Sequence, residues 1–357
     1  MFEKLNPFAG PTATVTEIAD LRIYPIKSCR GISIRKSFLT KRGLDLDRRW
    51  MFVDAKTLKF ITIRDISELT LIDTAFASTF ERDTSASSPN GIEDAENLVI
   101  SIRNTDKKVM VPARPTQEWL DQNTDLLQVN IWEYDTDGYV YHDKINRIFT
   151  EFFGKPVKLV YKGPTPRILT GNGAPDVLGR VESTNFPDVL PLLIVNEASI
   201  RELNSRLRQK GHAAITIERF RPNIIVRGAT TFESPQESQA PRAWSEDSWK
   251  TVRILNHDGE HKSGLMAIMG GGERGLEIDV QARCARCQVP NVDPDTAEKD
   301  KHEPWDTLVS YRRVDEGIKW KPCFGMLSVP RNEGPIAVGM KFEVIETTES
   351  HLYIKGF

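Results

Sequence analysis

Two cysteines near residue 285 have the spacing of a metal-binding or redox pair. Cys284 and Cys287 lie in RCARCQVPNVDPDT (283–296) and are two of only four cysteines in a chain of 357 residues. An arginine precedes each thiol, and a nearby positive charge favours the thiolate, which is the form that binds metals. The segment is therefore a candidate for thiolate chemistry, although Arg283 and Arg286 can instead hold an anion beside a metal.

Four interpretations of this cysteine pair are compatible with the residues. A tetrahedral zinc site needs about four ligands, and only Cys29 and Cys323 remain as further thiols. A thioredoxin-like pair begins a helix, whereas the following QVPNVDPDT is rich in Pro and Asp. Both cysteines can be buried structural thiols, or one can be the single protein ligand of a metal held mainly by another group. The local sequence leaves all four open.

The elements that position the pair are mainly predicted strands. Alternating apolar and polar residues predict strands over about 14–135, and helical spacing with a final glycine predicts a helix over 137–154. A buried strand followed by a helix is predicted over 190–211, and LEIDVQARCARC (276–287) predicts a strand that leads into the cysteines. The pattern indicates a strand-dominated, mixed α/β fold with two domains, not repeated βαβ units.

Composition narrows the class of protein. The 48 Lys and Arg residues nearly balance 50 Asp and Glu. The chain therefore lacks the overall excess of positive charge that is typical of nucleic-acid-binding proteins. No apolar run approaches the roughly 20 residues that span a membrane. The N-terminus lacks the apolar core of a secretory signal, and four cysteines are too few for a disulfide framework. We therefore expect a soluble intracellular protein, cytoplasmic rather than mitochondrial.

Four segments, taken in order, resemble the MOSC superfamily, which is named for the C-terminal domain of molybdenum cofactor sulfurase. They are YPIKSCRGI (24–32), DRRW (47–50), FRPNIIV (220–226) and the cysteine segment 283–296. The resemblance extends over about 15–347 and is strongest to the branch of mitochondrial amidoxime-reducing components (mARC).

This resemblance implies a MOSC β-barrel core plus an N-terminal β-rich MOSC domain. The N-terminal domain is expected over 14–162 and the MOSC domain over 180–350, with an insertion at about 228–275. The cleft between them is expected to hold the molybdenum cofactor, in which molybdenum is bound by molybdopterin.

Site residues also follow from the resemblance, position by position. Cys287 corresponds to the molybdenum ligand and catalytic residue, whereas Cys284 corresponds to a position that is not a ligand. The expected cofactor contacts are Lys27, Ser28, Arg48, Arg221, Asn223, Ala285, Arg286 and Cys287, with Ala285 in the place of a serine. The chemistry agrees, because a phosphate favours Lys and Arg, and a dithiolene leaves one soft ligand for the protein to add.

The chain departs from the family pattern at several positions. Val189 and Leu190 replace a Thr-Ser pair of the animal proteins, Leu327 replaces an aromatic contact residue, and the insertion is longer than expected. These departures concern substrate range more than cofactor binding. Asp293 and Asp295 are most simply turn residues, and a role in proton delivery stays an alternative.

The function implied by the resemblance is reduction of N-hydroxylated compounds at molybdenum, such as amidoximes and hydroxylamines, with nitrite as a further substrate class. The sequence contains no evident flavin, haem or iron–sulfur motif, so electrons are expected from a b-type cytochrome and its NADH-dependent reductase. Nitrate reductase is the expected partner for nitrite. The alternatives are a cofactor carrier or sulfur-transfer module without turnover, and a non-catalytic zinc or interaction protein.

Overall fold

A computed structural model describes residues 16–77, 97–228, 241–255 and 275–356. The predicted insertion at 228–275 therefore lies largely outside the described residues. The strands are β1 (Thr16–Ile23), β2 (Ile32–Ile34), β3 (Lys36–Thr40), β4 (Gly43–Leu44), β5 (Trp50–Asp54), β6 (Ile72–Ala77), β7 (Asn97–Ile102), β8 (Lys108–Pro112), β9 (Thr124–Ile131), β10 (Tyr134–Tyr141), β11 (Val157–Lys162), β12 (Arg167–Ile168), β13 (Ser183–Thr184), β14 (Leu192–Asn196), β15 (Ile224–Gly228), β16 (Trp249–Leu255), β17 (Leu276–Ala285), β18 (Cys323–Pro330), β19 (Gly334–Ala337) and β20 (Lys341–Thr347). The α-helices are α1 (Gln117–Asn123), α2 (Asp143–Phe153), α3 (Pro175–Leu178), α4 (Glu197–Gln209) and α5 (Trp305–Tyr311).

Seven strands form a closed barrel in the order β15-β14-β18-β17-β16-β20-β1, and β1 pairs with β15 to complete the ring. All neighbours are antiparallel except β14 and β15, which are parallel. Closure leaves no unpaired edge within the ring. The barrel confirms the prediction of a strand-dominated mixed fold with a β-barrel core.

Barrel closure brings the first segment of the chain beside a segment 200 residues later. Leu21 of β1 pairs with Ile224 of β15. The backbone N–H of Arg22 donates to the Asn223 carbonyl at 2.9 Å. The residues that follow β1 and those that precede β15 therefore lie next to each other.

The N-terminal region adds a four-stranded sheet, β5-β11-β10-β9, and a three-stranded sheet, β6-β7-β8. Helix α2 covers the larger sheet, with the Phe149 ring 5.0 Å from the Phe52 ring. Strand β19 pairs with β3, and one apolar core extends from Ile18 to Phe342. Strand β1 pairs with β15 and β20 of the C-terminal region, and β19 pairs with β3 of the N-terminal region. Because strands are shared in this way, the predicted domain boundaries at 162 and 180 stay a prediction.

Two predicted helices have different outcomes. Helix α4 is confirmed, with Ile200, Leu203 and Leu207 buried on one face. The predicted helix over 137–154 is wrong in its first part, because residues through Tyr141 form β10 between β9 and β11. Sheet pairing on both sides outweighs the local helical spacing there. No helix among the described residues has both the length and the apolar character of a membrane span.

Candidate functional site

A cavity of about 470 Å³ opens between the barrel and the turn that joins β9 to β10. All eight predicted cofactor contacts line it: Lys27, Ser28, Arg48, Arg221, Asn223, Ala285, Arg286 and Cys287. They come from the loops after β1, before β5 and before β15, and from the end of β17. Tertiary structure thus brings all four sequence segments to one cavity.

Lys27 is held in the cavity wall by one carbonyl and one carboxylate. Its Nζ donates to the Phe186 carbonyl at 3.0 Å and contacts the Asp188 carboxylate. Burial lowers the pKa of Lys27 to about 8, and Asp188 partly opposes this shift. Burial also disfavours the Asp188 carboxylate, but Lys27 and Arg64 outweigh it and hold the Asp188 pKa below its ordinary value. The wall therefore contains a cation that loses charge near pH 8.

Three contact residues have left-handed backbones. Ser28, Arg48 and Arg221 have φ values of 70°, 47° and 60°, a region that residues other than glycine rarely occupy. Each such conformation costs on the order of 1–3 kcal/mol and is typical of sites where the surrounding structure directs a side chain. Backbone hydrogen bonds hold two of them, from Arg48 N to Tyr24 O and from Arg221 N to Glu218 O, each at 2.9 Å.

The ring of Tyr24 contacts two of the arginines. The Arg48 guanidinium lies 4.5 Å from the ring centroid and the Arg221 guanidinium 4.3 Å from it. Arg48 Nη2 also donates to the Arg221 carbonyl at 3.1 Å, and Arg48 Nη1 donates to Asn223 Oδ1 at 3.0 Å. One buried ring thus contacts both cationic side chains, and the Asn223 amide holds Arg48.

Among the arginines that line the cavity, two buried guanidinium nitrogens have no hydrogen-bond acceptor within the described residues. They are Nη2 of Arg221 and Nε of Arg286. A buried donor without an acceptor is costly, and both arginines line the cavity. The arrangement fits an anion with several acceptor oxygens, such as a phosphate.

The two cysteines of the pair face the same cavity but have different partners. Cys287 Sγ accepts from Arg64 Nη2 at 3.4 Å, whereas Cys284 Sγ accepts from Arg286 Nη1 at 3.0 Å. Burial raises the pKa of Cys284, and Arg286 partly offsets that effect. Cys287 thus lies beside an exposed arginine, and Cys284 lies beside a buried one.

The remaining thiols belong to the core. Cys29 and Cys323 are fully buried, and burial raises the pKa of each, to about 12 for Cys323. Among the described residues, no group of three or more His, Cys, Asp or Glu side chains is placed to hold a metal. A metal at Cys287 would therefore need most of its ligands from another molecule.

Comparison with known families agrees with this architecture. Residues 15–156 match the MOSC N-terminal beta barrel domain, and residues 182–343 match the MOSC domain. The chain belongs to the MOSC family.

Curated relatives similar to this MOSC protein include amidoxime-reducing components and molybdenum cofactor sulfurases. Mitochondrial amidoxime-reducing component 1 of Mus musculus is 28% identical over 91% of this chain and 81% of its own length. Mitochondrial amidoxime reducing component 2 of Macaca fascicularis is 28% identical over 91% and 82%. Molybdenum cofactor sulfurase of Arabidopsis thaliana is 31% identical over 87% of this chain but 32% of its own length.

The cavity of this MOSC protein fits the molybdenum cofactor. The acceptor-free donors of Arg221 and Arg286 suit its phosphate. The Asn223 amide already bonds to Arg48, to the Leu193 N–H and to the Arg22 carbonyl, which leaves one amide hydrogen for a polar edge of its pterin. The Cys287 thiol is the type of soft ligand that completes a molybdenum centre bound by two dithiolene sulfurs. Ala285 can contribute only backbone groups, since its side chain has no polar atom.

One wall of the cavity is apolar. Val189, Leu190 and Leu327 line it together with Leu193 of β14. Val189, Leu190 and Leu327 are positions where the chain departs from its family pattern, so these three departures lie in the cavity itself. The wall excludes water and suits an apolar group of a bound molecule.

The acidic residues after the cysteines lie outside the cavity lining. Asp293 accepts from Arg219 Nη2 at 2.7 Å. Asp295 accepts from Arg30 Nη1 and Arg103 Nη1, each at 2.6 Å. The Asp295 ion pairs fasten the loop after Cys287 to the N-terminal region, and the Asp293 ion pair fastens it to the segment before β15.

Sequence reasoning missed several polar residues of the cavity, among them Arg64, Trp132 and Asp188. Arg64 stacks 4.9 Å from the Trp132 ring and lies 3.9 Å from the Asp188 carboxylate. Trp132 Nε1 also donates to Asp188 at 3.3 Å. None of these residues stands in a motif, and a single charged or polar residue gives no local signal.

Proposed function

We propose that this MOSC protein binds the molybdenum cofactor in the cavity and reduces N-hydroxylated compounds, with Cys287 as the protein ligand of molybdenum. The observation that supports this most strongly is that one cavity contains both the Cys287 thiol and the guanidinium donors of Arg221 and Arg286 that lack an acceptor. The similarity to amidoxime-reducing components supports the substrate class.

Arg48, Arg221 and Arg286 would hold the cofactor by its phosphate, and Asn223 would pair with the pterin edge. Lys27 and Ser28 would also bind the cofactor. When bound, the cofactor supplies a metal that exchanges two electrons and removes oxygen from the substrate.

The other cavity residues would act on the substrate. The apolar wall of Val189, Leu190 and Leu327 would bind the hydrocarbon part of an amidoxime and exclude water. Arg64, beside Cys287 Sγ, would direct the polar end of the substrate by donating hydrogen bonds. The ionised Asp188 carboxylate would keep Arg64 oriented toward the thiol.

Electrons would come from another protein. We propose a b-type cytochrome with its NADH-dependent reductase, and nitrate reductase where nitrite is the substrate. This part of the proposal rests on the family resemblance.

A second candidate function is a cofactor carrier or sulfur-transfer module without turnover. The observation that favours it is the second thiol, Cys284, in the same cavity. The similarity to molybdenum cofactor sulfurase also supports it. Such a protein would bind the cofactor without reducing a substrate.

Reduction of benzamidoxime to benzamidine tests the proposal. Cofactor-loaded protein with reduced methyl viologen should form benzamidine, and Cys287→Ala should lower the rate at least about 100-fold. Cys284→Ala is the matched control and should retain most of the rate. Loaded wild-type protein that produces no benzamidine would contradict the reductase proposal and favour the carrier.

A further inference from the structure

An exposed tryptophan lies at the edge of the cavity. Trp320 is 80% exposed, the highest value among the large apolar residues of the described chain. Its neighbours Ile318 and Lys321 line the cavity, as do Tyr353 and Lys355. The segments 313–321 and 351–355 therefore form one rim of the opening, which we name the Trp320 rim.

The Trp320 rim concentrates apolar exposure. Thirteen large apolar residues of the described chain are exposed, and four of them, Val314, Trp320, Leu352 and Ile354, belong to these two short segments. Clustered exposed apolar residues mark interaction sites more often than scattered ones. Tryptophan is also enriched among the residues that dominate binding energy at protein interfaces.

The rim is also cationic. Its exposed charged residues are four cations, Arg313, Lys319, Lys321 and Lys355, and one carboxylate, Glu316. The chain as a whole has a formal net charge of −2, so this positive charge is local. Charge of one sign around an opening attracts a partner of the opposite sign and accelerates its association.

Buried contacts fix the rim to the strand that carries the cysteines. Arg283 of β17 lies 3.5 Å from the Asp315 carboxylate and donates to the His351 carbonyl at 2.9 Å. Asp315 also accepts from the backbone of Gly317 and Tyr353, each at 2.9 Å. Arg283, which precedes the cysteine pair in sequence, thus anchors the rim and does not activate a thiol.

We infer that the Trp320 rim is the docking surface for an acidic electron-donor protein. The inference rests on the proposed function, which needs two electrons per turnover from outside the chain. A partner on this rim lies directly at the cavity that contains Cys287, and its negative charge complements the four cations. Trp320 would be the central apolar contact of the interface.

The test compares two electron donors on the cofactor-loaded protein. One is the reduced soluble haem domain of an acidic b-type cytochrome, and the other is reduced methyl viologen, which needs no docking surface. The variants are Trp320→Ala and the double variant Arg313→Glu/Lys319→Glu, none of which alters a cavity-lining residue. Matched controls remote from the rim in sequence are Val181→Ala and Lys36→Glu/Lys108→Glu, which also change exposed residues.

Both rim variants should lower the cytochrome-driven rate at low ionic strength by about tenfold or more, while the controls stay within about twofold. The viologen-driven rate should stay within about twofold for every variant. The wild-type rate with cytochrome should fall as salt increases, and the double rim variant should lose most of that dependence. Equal cytochrome-driven rates in rim and control variants would overturn the inference.

Direct titration separates this inference from the proposed function. Oxidised cytochrome should bind the wild-type protein and bind the double rim variant at least about tenfold more weakly, whether or not any substrate is reduced. If the loaded protein shows no viologen-driven turnover but cytochrome binding still depends on the rim, the reductase function is rejected and the docking surface is retained. Binding of the rim to anionic phosphatidylserine vesicles, with cytochrome binding unchanged by the rim variants, would overturn docking in favour of a membrane surface.

Discussion

Replacing Tyr24 should release the cofactor by removing the ring that both Arg48 and Arg221 contact. Tyr24→Leu removes two cation–π contacts, at 4.5 and 4.3 Å. Such contacts contribute about 0.5 kcal/mol when exposed and about 2 kcal/mol when desolvated. The two together are worth about 1–4 kcal/mol, which is about 5-fold to several-hundred-fold in cofactor affinity.

The assay is retention of pterin after dialysis, measured by the fluorescence of its oxidised form and compared with the thermal unfolding midpoint. Tyr24→Phe keeps the ring and should retain the cofactor. Trp244→Leu removes a different ring, one that lies 4.0 Å from Arg312 and does not line the cavity. It should lower stability without releasing pterin.

Two outcomes would refute this reasoning. Folded Tyr24→Leu protein that retains pterin as well as the wild type would show that the ring does not position the arginines. Loss of pterin in Tyr24→Phe equal to that in Tyr24→Leu would assign the effect to the hydroxyl group.

Three further predictions follow from charges and ion pairs. The affinity of the cofactor-free protein for sulfate, measured by calorimetry, should fall as pH rises from 7 to 9. Burial lowers the pKa of Lys27 to about 8, so this side chain loses its charge in that range. Lys27→Gln should abolish the pH-dependent fall in affinity, and an unchanged fall would assign it to another group. Burial raises the Glu246 pKa from 4.5 to about 7, so the protonated form contributes stability below pH 4.5 that is lost as pH rises through 7. The free energy of unfolding of Glu246→Gln, measured with denaturant, should increase relative to that of the wild type by about 3 kcal/mol as pH rises from 4.5 to 7. A difference in unfolding free energy that does not change with pH would contradict this prediction. Asp295→Asn removes exposed ion pairs to Arg30 and Arg103 and should change the unfolding free energy by at most about 1 kcal/mol; a larger loss would show that these pairs hold the loop more strongly than exposed pairs usually do.

The spacing of apolar residues correctly predicted helices and strands that bury one face. The apolar spacing of Ile200, Leu203 and Leu207 predicted α4, and the strand before Cys284 was predicted from its alternation. The pairing of β1 with β15 could not be predicted in this way, because no local pattern records which strand closes a barrel. The error at 137–141 has the same cause, since β9 and β11 decide that conformation.

The cavity shows a similar division. The predicted contacts were found because they stand in short segments whose order is shared with a known family, and all of them line the cavity. Arg64 and Asp188 were not found, because each is a single charge whose partners are distant in sequence. Arg283 was associated with thiol activation from its position, but its guanidinium points to Asp315 and His351.

The most direct test of the central claim is the metal and pterin content of purified protein from a host that makes the cofactor. We predict about one molybdenum and one pterin per chain in the wild type and in Cys284→Ala, and a large loss of molybdenum in Cys287→Ala. Wild-type protein that contains zinc, or no pterin, would contradict the claim, as would molybdenum content unchanged by Cys287→Ala.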